Sequence, residues 1–385
     1  MNRQNLFGRP SFLRVDLDRL ARNIRIIKKR LGQAVELMAV VKAEAYGHGA
    51  LPVARVALAA GATSLGVAIV EEGILLRRAG IKVPIVVFYP DFSYRAPLIA
   101  RYNLIPTVID EKFGRSYWNA CQKLKKKAPF IVKLETGLNR YGLPLSEALK
   151  LTRSLLRLKG TELWELASHL ATAGEETGFA RLQVQRIKEA MKVFENSGIR
   201  PRYVSLANSG AVIDLPESFF NLARVGVLLF GYPSETAAGS SLPVRPVMSL
   251  ESKIAQLKAI EADETVSYGR EFTAASRRLI ATLPLGFSDG YPRHLGNKGW
   301  VLVRGQRASV VGRIAMDAIM VDVSDIQGVR PGDRVVLLGE MGKEKITAED
   351  LAHWIDTSGY EIITRMGTRL PIEYAGKAAR LLKLR

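Results

Sequence analysis

An α/β fold, a TIM-type (β/α)8 barrel followed by a mostly β C-terminal domain, is what the patterning of this chain predicts. Two rhythms and one count carry that prediction. From about residue 12 to 245, short apolar runs alternate with longer segments of helical period, and about eight such runs occur. After residue 245 the helical segments give way to short β-rich runs broken by Gly-rich turns. Strands alternating with helices pair in parallel through crossovers, and eight such units close a barrel. An open doubly wound sheet is the alternative, but no Gly-x-Gly-x-x-Gly stands between a strand and a helix. The expected domains are therefore 1–245, the barrel, and 246–385, the β-rich domain.

The elements follow in order. Leu17, Leu20, Ile24, Ile27 and Leu31 recur at steps of three and four, an amphipathic helix opened by Asp16 and Asp18. Candidate barrel strands are 36–41, 64–68, 84–88, 104–109, 130–135, 163–168, 203–207 and 221–225. Candidate helices between them include 71–79, 111–126, 146–158 and 179–196. In the second region the β-rich runs are 247–260, 278–284, 300–303, 308–311, 319–323 and 334–338, with one helix at 348–355. The turns Gly296-Asn-Lys-Gly299 and Pro331-Gly-Asp333 punctuate them.

The 385 residues suffice for one large and one smaller core. No apolar run reaches the roughly 20 residues of a membrane helix. The start, Met1 to Pro10, lacks the apolar stretch of a signal peptide, so a cytoplasmic protein without membrane association is expected. Cys121 is the single cysteine, which leaves no intrachain disulfide and no cysteine-rich zinc site. No metal is expected. The formal charge of +19 is spread along the chain, with its densest run at Lys123 to Lys127 on one helix face. No basic segment interleaved with aromatics offers bases a stacking platform, so the reading is a basic surface and no nucleic-acid partner.

In a barrel of this kind chemistry sits at the C-terminal ends of the strands. Lys42 follows the first candidate strand; Glu135 and Arg140 follow the fifth. His169 follows the sixth, Asn208 and Ser209 the seventh, and Gly226 and Val227 the eighth, with Arg224 just before them. Each has a plain structural reading: Asn208 and Ser209 are helix-capping types, and Gly47 and Gly49 suit a turn. Their joint placement at one mouth is the informative feature. An amine beside a cation has a lowered pKa and attacks an aldehyde. A phosphate needs backbone N–H groups at a tight turn and hydroxyls, which Gly226, Val227, Ser209 and Tyr46 supply.

The segment Val41-Lys-Ala-Glu-Ala-Tyr-Gly-His-Gly49 resembles the cofactor-binding signature of the alanine racemase family, a pyridoxal-phosphate family with a barrel and a C-terminal β domain. The resemblance continues through Lys133–Arg140, Ser168-His-Leu-Ala171, Ala207-Asn-Ser-Gly210 and Ala223-Arg-Val-Gly226. It extends to Val266-Ser-Tyr-Gly269, Leu285-Gly-Phe-Ser-Asp-Gly290 and Gly312-Arg-Ile-Ala-Met-Asp317. It implies that Lys42 holds pyridoxal 5'-phosphate as a Schiff base and is the base on one substrate face. Tyr268, from the partner subunit of a homodimer with shared sites, is then the base on the other face. Two opposed bases are what inversion of configuration requires. A phenol near its ordinary pKa of about 10 is a weak base at neutral pH, so nearby positive charge must favour the phenolate.

By the same resemblance Arg224 partners the pyridine nitrogen, with His169 hydrogen-bonded behind it. An arginine keeps its protons, so the ring is a weaker electron sink and proton transfer is favoured over decarboxylation or transamination. Arg140 contacts the cofactor phenolic oxygen and the substrate carboxylate. Lys133, carbamylated in many members, orients it. Met316 of the partner contributes a backbone contact to the substrate, and Asp317 supports it. Tyr46, Asn208, Ser209, Gly226 and Val227 bind the cofactor, chiefly its phosphate. The implied product is D-alanine for peptidoglycan. Four departures stand out: Glu44 where Asn or Asp is usual, Phe287 for a common Tyr, and Gly174 and Thr368 where some members have Asp and Tyr. Rival readings are a broad-specificity or serine/lysine racemase on the same scaffold, a related barrel decarboxylase, a non-catalytic pyridoxal-phosphate carrier and a nucleic-acid binder.

Overall fold

The computed structural model describes residues 8–173, 177–233, 242–367 and 369–382. Gly174 and Thr368, two of the departures named above, lie outside the described residues. Contacts divide the chain into two units: Leu20–Ala45 with Ala50–Arg245, and Met1–Arg19 with Tyr46–Gly49 and Pro246–Arg385.

The first strand, β1 (Phe12–Asp16), is followed by helix α1 (Leu17–Leu31). Asp16 accepts from the backbone N–H groups of Asp18 and Arg19, satisfying donors that the first turn leaves free. Leu20, Ile24, Ile27 and Leu31 are buried, as the spacing predicts.

The barrel closes from β2 (Glu36–Val40), β3 (Ser64–Val67), β4 (Ile85–Val87), β5 (Ile105–Val108), β6 (Ala128–Lys133), β7 (Thr161–Ala167), β8 (Tyr203–Ser205) and β9 (Leu222–Val225). All neighbours are parallel, and β9 returns to β2 with Met38 opposite Arg224. These are the eight runs expected from periodicity. Their strands are buried on both faces, which is why they read as continuous apolar runs rather than alternating ones. Met38, Val86, Ile105, Ile131, Trp164, Tyr203 and Leu222 form one packed layer. Helices α2 (Ala50–Ala59), α3 (Val70–Arg78), α4 (Ala96–Arg101), α5 (Glu111–Lys123), α6 (Leu145–Leu156), α7 (Thr177–Asn196) and α8 (Ser209–Asp214) alternate with the strands.

The second unit holds a ten-stranded sheet. It includes β10 (Met248–Lys253), β11 (Gln256–Ile260), β14 (Arg278–Leu283), β15 (Trp300–Val303), β16 (Gln306–Val310), β17 (Ile319–Asp322), β18 (Arg334–Met341), β19 (Glu344–Ile346) and β20 (Ile372–Ala375). A separate short pair, β12 (Thr265–Val266) and β13 (Phe272–Thr273), flanks the Tyr268 turn. The tenth strand of the sheet is β1. It pairs antiparallel with β10 and parallel with β20, so residues far upstream of the expected cut at 245 belong to this sheet. The sequence predicts no strand over Phe12–Asp16, and a five-residue segment carries no information about a partner more than 200 residues away. Helices α9 (Ala348–Trp354) and α10 (Gly359–Arg365) follow the sheet strands, the first capped reciprocally by Thr347 and Asp350.

Candidate active site

Lys42 stands two residues after β2 and opens a turn of unusual backbone. Ala43, Glu44, Ala45 and Tyr46 all have positive φ, between 51° and 54°. A left-handed run of non-glycine residues costs about 1–2 kcal/mol per residue, so surrounding bonds must hold it. Two do so. Glu72 on α3 accepts from Ala43 N–H at 2.6 Å and from Ala68 N–H at 2.7 Å. Glu44 accepts from Ala50 N–H at 3.1 Å, at the start of α2, so the carboxylate in place of the usual amide or aspartate meets a helix N-terminus. The Lys42 amine has a lowered proton affinity because it is buried and faces Arg140, with Glu72 opposing.

A cationic cluster lies at the same strand ends. Lys133 is the last residue of β6, Arg224 lies in β9, and His169 follows β7. Burial first, then Arg224 and Arg140, push the Lys133 amine down to about 7. His169 is driven well below its ordinary range by burial and by Arg224, Lys133, Arg140 and Lys42, so its imidazole is neutral at neutral pH. Arg224 Nη2 lies 3.4 Å from His169 Nδ1. A guanidinium only donates, so Nδ1 accepts and the proton resides on Nε2.

Of the phosphate-cup candidates, Ser209 and Gly226 meet. Ser209 Oγ accepts from Gly226 N–H at 3.1 Å and from Leu228 N–H at 3.3 Å. Val227 opens the one-turn helix Val227–Phe230, where N–H groups lack helical partners. Asn208 caps α8 through Ala211 N–H at 3.1 Å, the plain structural role for that residue type.

Tyr46, Tyr268, Met316 and Asp317 belong to the other unit. The Tyr46 carbonyl accepts from His48 Nδ1–H at 2.9 Å. Tyr268 is 70% exposed on a turn whose neighbours Ser267 and Gly269 have positive φ. Ser267 Oγ anchors this turn to Arg313 O at 2.6 Å, and Arg313 pairs with Glu271 at 2.5 Å. Met316 is exposed, and its carbonyl accepts from Ser288 Oγ at 2.6 Å. Asp317 pairs with Arg369, which also reaches buried Asp289 at 3.2 Å. Phe287, partly exposed, lies on the same short turn as Ser288.

Several supporting residues escaped a reading that took only the residues after each strand. Glu165 in β7 and Ser205 in β8 both meet Arg224. Gln183 on α7 is fully buried; its amide donates to Thr136 Oγ1 at 2.9 Å and to His169 O at 3.0 Å. Thr136 in turn meets Ser168 Oγ at 2.7 Å, and Ser168 donates to Leu134 O at 2.9 Å. A lone carboxylate in the run Leu163-Trp-Glu-Leu-Ala was the available signal for Glu165.

The alanine racemase N-terminal domain profile matches residues 15–234, and the alanine racemase C-terminal domain profile matches residues 247–374. The chain belongs to the alanine racemase family. A curated alanine racemase of Symbiobacterium thermophilum is 40% identical over 372 residues, covering 96% of this chain and 98% of the relative. Among solved structures, alanine racemase from Bacillus anthracis with bound L-Ala-P superposes with a TM-score of 0.91 at 32% identity, covering 97% and 96% of the two chains. A histidine racemase from Leuconostoc mesenteroides shares the fold at a TM-score of 0.89 and 26% identity, covering 97% and 100%. Among the described residues no helix is long and apolar enough to cross a membrane.

Proposed function

We propose that this family member is a pyridoxal-phosphate-dependent alanine racemase, an isomerase interconverting L- and D-alanine. The observation that carries the reading is the Lys42 amine, its proton affinity lowered by burial and Arg140, at a strand end of a barrel whose full-length relatives are alanine racemases. The donor set fits the cofactor. A depressed amine suits carbonyl attack, Ser209 and the Gly226–Leu228 turn suit a phosphate, and the buried Arg224 guanidinium suits a ring nitrogen.

When bound, pyridoxal phosphate supplies an electron sink for the pair left at the substrate α-carbon. Arg224 holds its protons and therefore leaves the ring nitrogen unprotonated, which limits the sink and favours reprotonation. Arg140 binds the substrate carboxylate. Lys42 takes or returns the α-proton on one face, and the partner's Tyr268 serves the other. Neutral His169 accepts from Arg224 and holds that side chain in place without adding charge. The enzyme is a cytoplasmic homodimer, and its D-alanine serves peptidoglycan.

Chiral product analysis with L-alanine, L-serine, L-lysine and L-histidine tests the substrate. D-Alanine is expected to form fastest. Faster formation of another D-amino acid would replace this reading with that of a racemase of different or broader specificity, for which the histidine racemase fold neighbour is the precedent.

A further inference from the structure

Glu165 is fully buried within β7 and has no part in the racemase chemistry above. Its Oε1 lies 3.3 Å from Arg224 Nη1 and accepts from the Ser205 hydroxyl, while Arg224 Nη1 also donates to Ser205 Oγ. Glu165 Oε2 is buried with no hydrogen-bond partner among the described residues. On the other terminal nitrogen, Arg224 Nη2 donates to Ser168 O and faces His169 Nδ1. A guanidinium carries five N–H donors in a rigid fork. Four of them are directed to Glu165, Ser205, Ser168 and His169, and the fifth is on Nε.

We propose that Glu165, with Ser205, is a positioning group for Arg224, occupying Nη1 so that Nε–H is the donor turned to the cofactor ring nitrogen. This rests on the pyridoxal-phosphate reading. Two further considerations favour it over a plain structural ion pair. Burying a carboxylate costs several kcal/mol unless it is paired and fully hydrogen-bonded, yet Oε2 is left without a partner, a poor arrangement for stability alone. The charged groups acting on Glu165 itself are the cations Arg224 from β9 and Lys133 from β6; beyond them lie Arg140, His169 and Lys42, with Glu135 acting on Lys133 and Glu72 on Lys42. Glu165 is the fully buried carboxylate of this cationic cluster; burial raises its own proton affinity, Arg224, Ser205 and Lys133 oppose that, and it in turn raises the proton affinity of Lys133.

The test is titration of the apo-protein with pyridoxal phosphate, following the visible band of the bound cofactor and the pH at which that band changes. Glu165→Gln removes the charge while keeping the shape. The site becomes more positive, so the midpoint pH of the band is expected to fall by about one unit; cofactor affinity is expected to fall by about tenfold because Arg224 loses its anchor on Nη1. Glu165→Asp is expected to restore the midpoint. Ser205→Ala, which removes a hydroxyl but no charge, should weaken cofactor binding and leave the midpoint in place. A Glu165→Gln protein with lower thermal stability but unchanged band, midpoint and affinity would overturn the proposal. If that variant does not fold, unchanged cofactor affinity in Ser205→Ala does the same. Failure of the unmodified protein to take up pyridoxal phosphate is a different result, and it removes the functional reading together with this one.

Discussion

The carboxylate of Glu165 and the guanidinium of Arg224 lie 3.3 Å apart on strands β7 and β9, and their side chains are 0% and 7% exposed. Breaking a pair of this kind from one side strands a buried charge. Arg224→Ala is therefore expected to destabilise the apo-protein by about 3 kcal/mol or more, read from urea unfolding. Replacing both, as Glu165→Leu with Arg224→Met, should recover most of that loss, because well-packed apolar residues often match a buried ion pair. Simple addition of the separate Glu165→Leu and Arg224→Met effects would show that the pair is not coupled.

Lys42→Ala should remove the visible absorption of the bound cofactor and all racemisation. On the proposed scheme of two opposed bases, Tyr268→Phe should instead slow proton abstraction from one enantiomer more than from the other. Equal and slight effects in both directions would contradict the two-base scheme. Mixing Lys42→Ala with Tyr268→Ala subunits should restore part of the activity if sites are shared across a dimer.

Lys133 sets a pH dependence of stability. Its amine is pushed down to about 7 in the folded protein from an ordinary 10.5. Between those two values the unfolded chain holds a proton that the folded chain has released, so the contribution to stability rises with pH across that window. Below pH 7 both forms are protonated and the penalty is fully present. Unfolding free energy measured against pH should rise less steeply from 7 to 10.5 in Lys133→Met than in the unmodified protein.

With that value about half of the Lys133 amine is neutral at pH 7, and the neutral form is the one that adds carbon dioxide. Labelled bicarbonate is expected to give a carbamate signal in carbon NMR that disappears in Lys133→Met. A signal that persists in the variant would place the modification elsewhere.

The left-handed turn after Lys42 makes a separate prediction. Ala43 is exposed with φ 51°, where an L-residue costs about 1–2 kcal/mol and glycine costs little. Glycine loses roughly 0.5–1 kcal/mol in added chain freedom, so Ala43→Gly should stabilise by about 0.5–1 kcal/mol and Ala43→Val should destabilise. Thermal unfolding of the two variants checks the sign.

The eight barrel strands were legible because each is a short apolar run between helices, and Lys42, His169, Ser209, Arg224 and Gly226 were legible because they end or follow those runs. Gln183 and Thr136 were not. Gln183 reads as an ordinary polar residue on α7, and only the packing of that helix turns its amide toward Thr136 Oγ1 and His169 O. The strand β1 is not among the candidate strands: Phe12–Asp16 is a five-residue segment directly before a helix, and its neighbours β10 and β20 lie far along the chain.

Local pattern in the sequence determined the fold class, the two regions and the residue types at each strand end, because strand and helix periodicity depend only on neighbouring residues. It also carried the family motifs, in order. The tertiary structure decided which of those residues meet. Parallel pairing of the consecutive strands β6 to β9 brings Glu165, Ser205, Lys133, His169 and Arg224 into one cluster, and the return of β9 to β2 sets Met38 opposite Arg224. Their proton affinities follow from that burial and mutual charge, which depend on distances across strands and not on spacing along the chain.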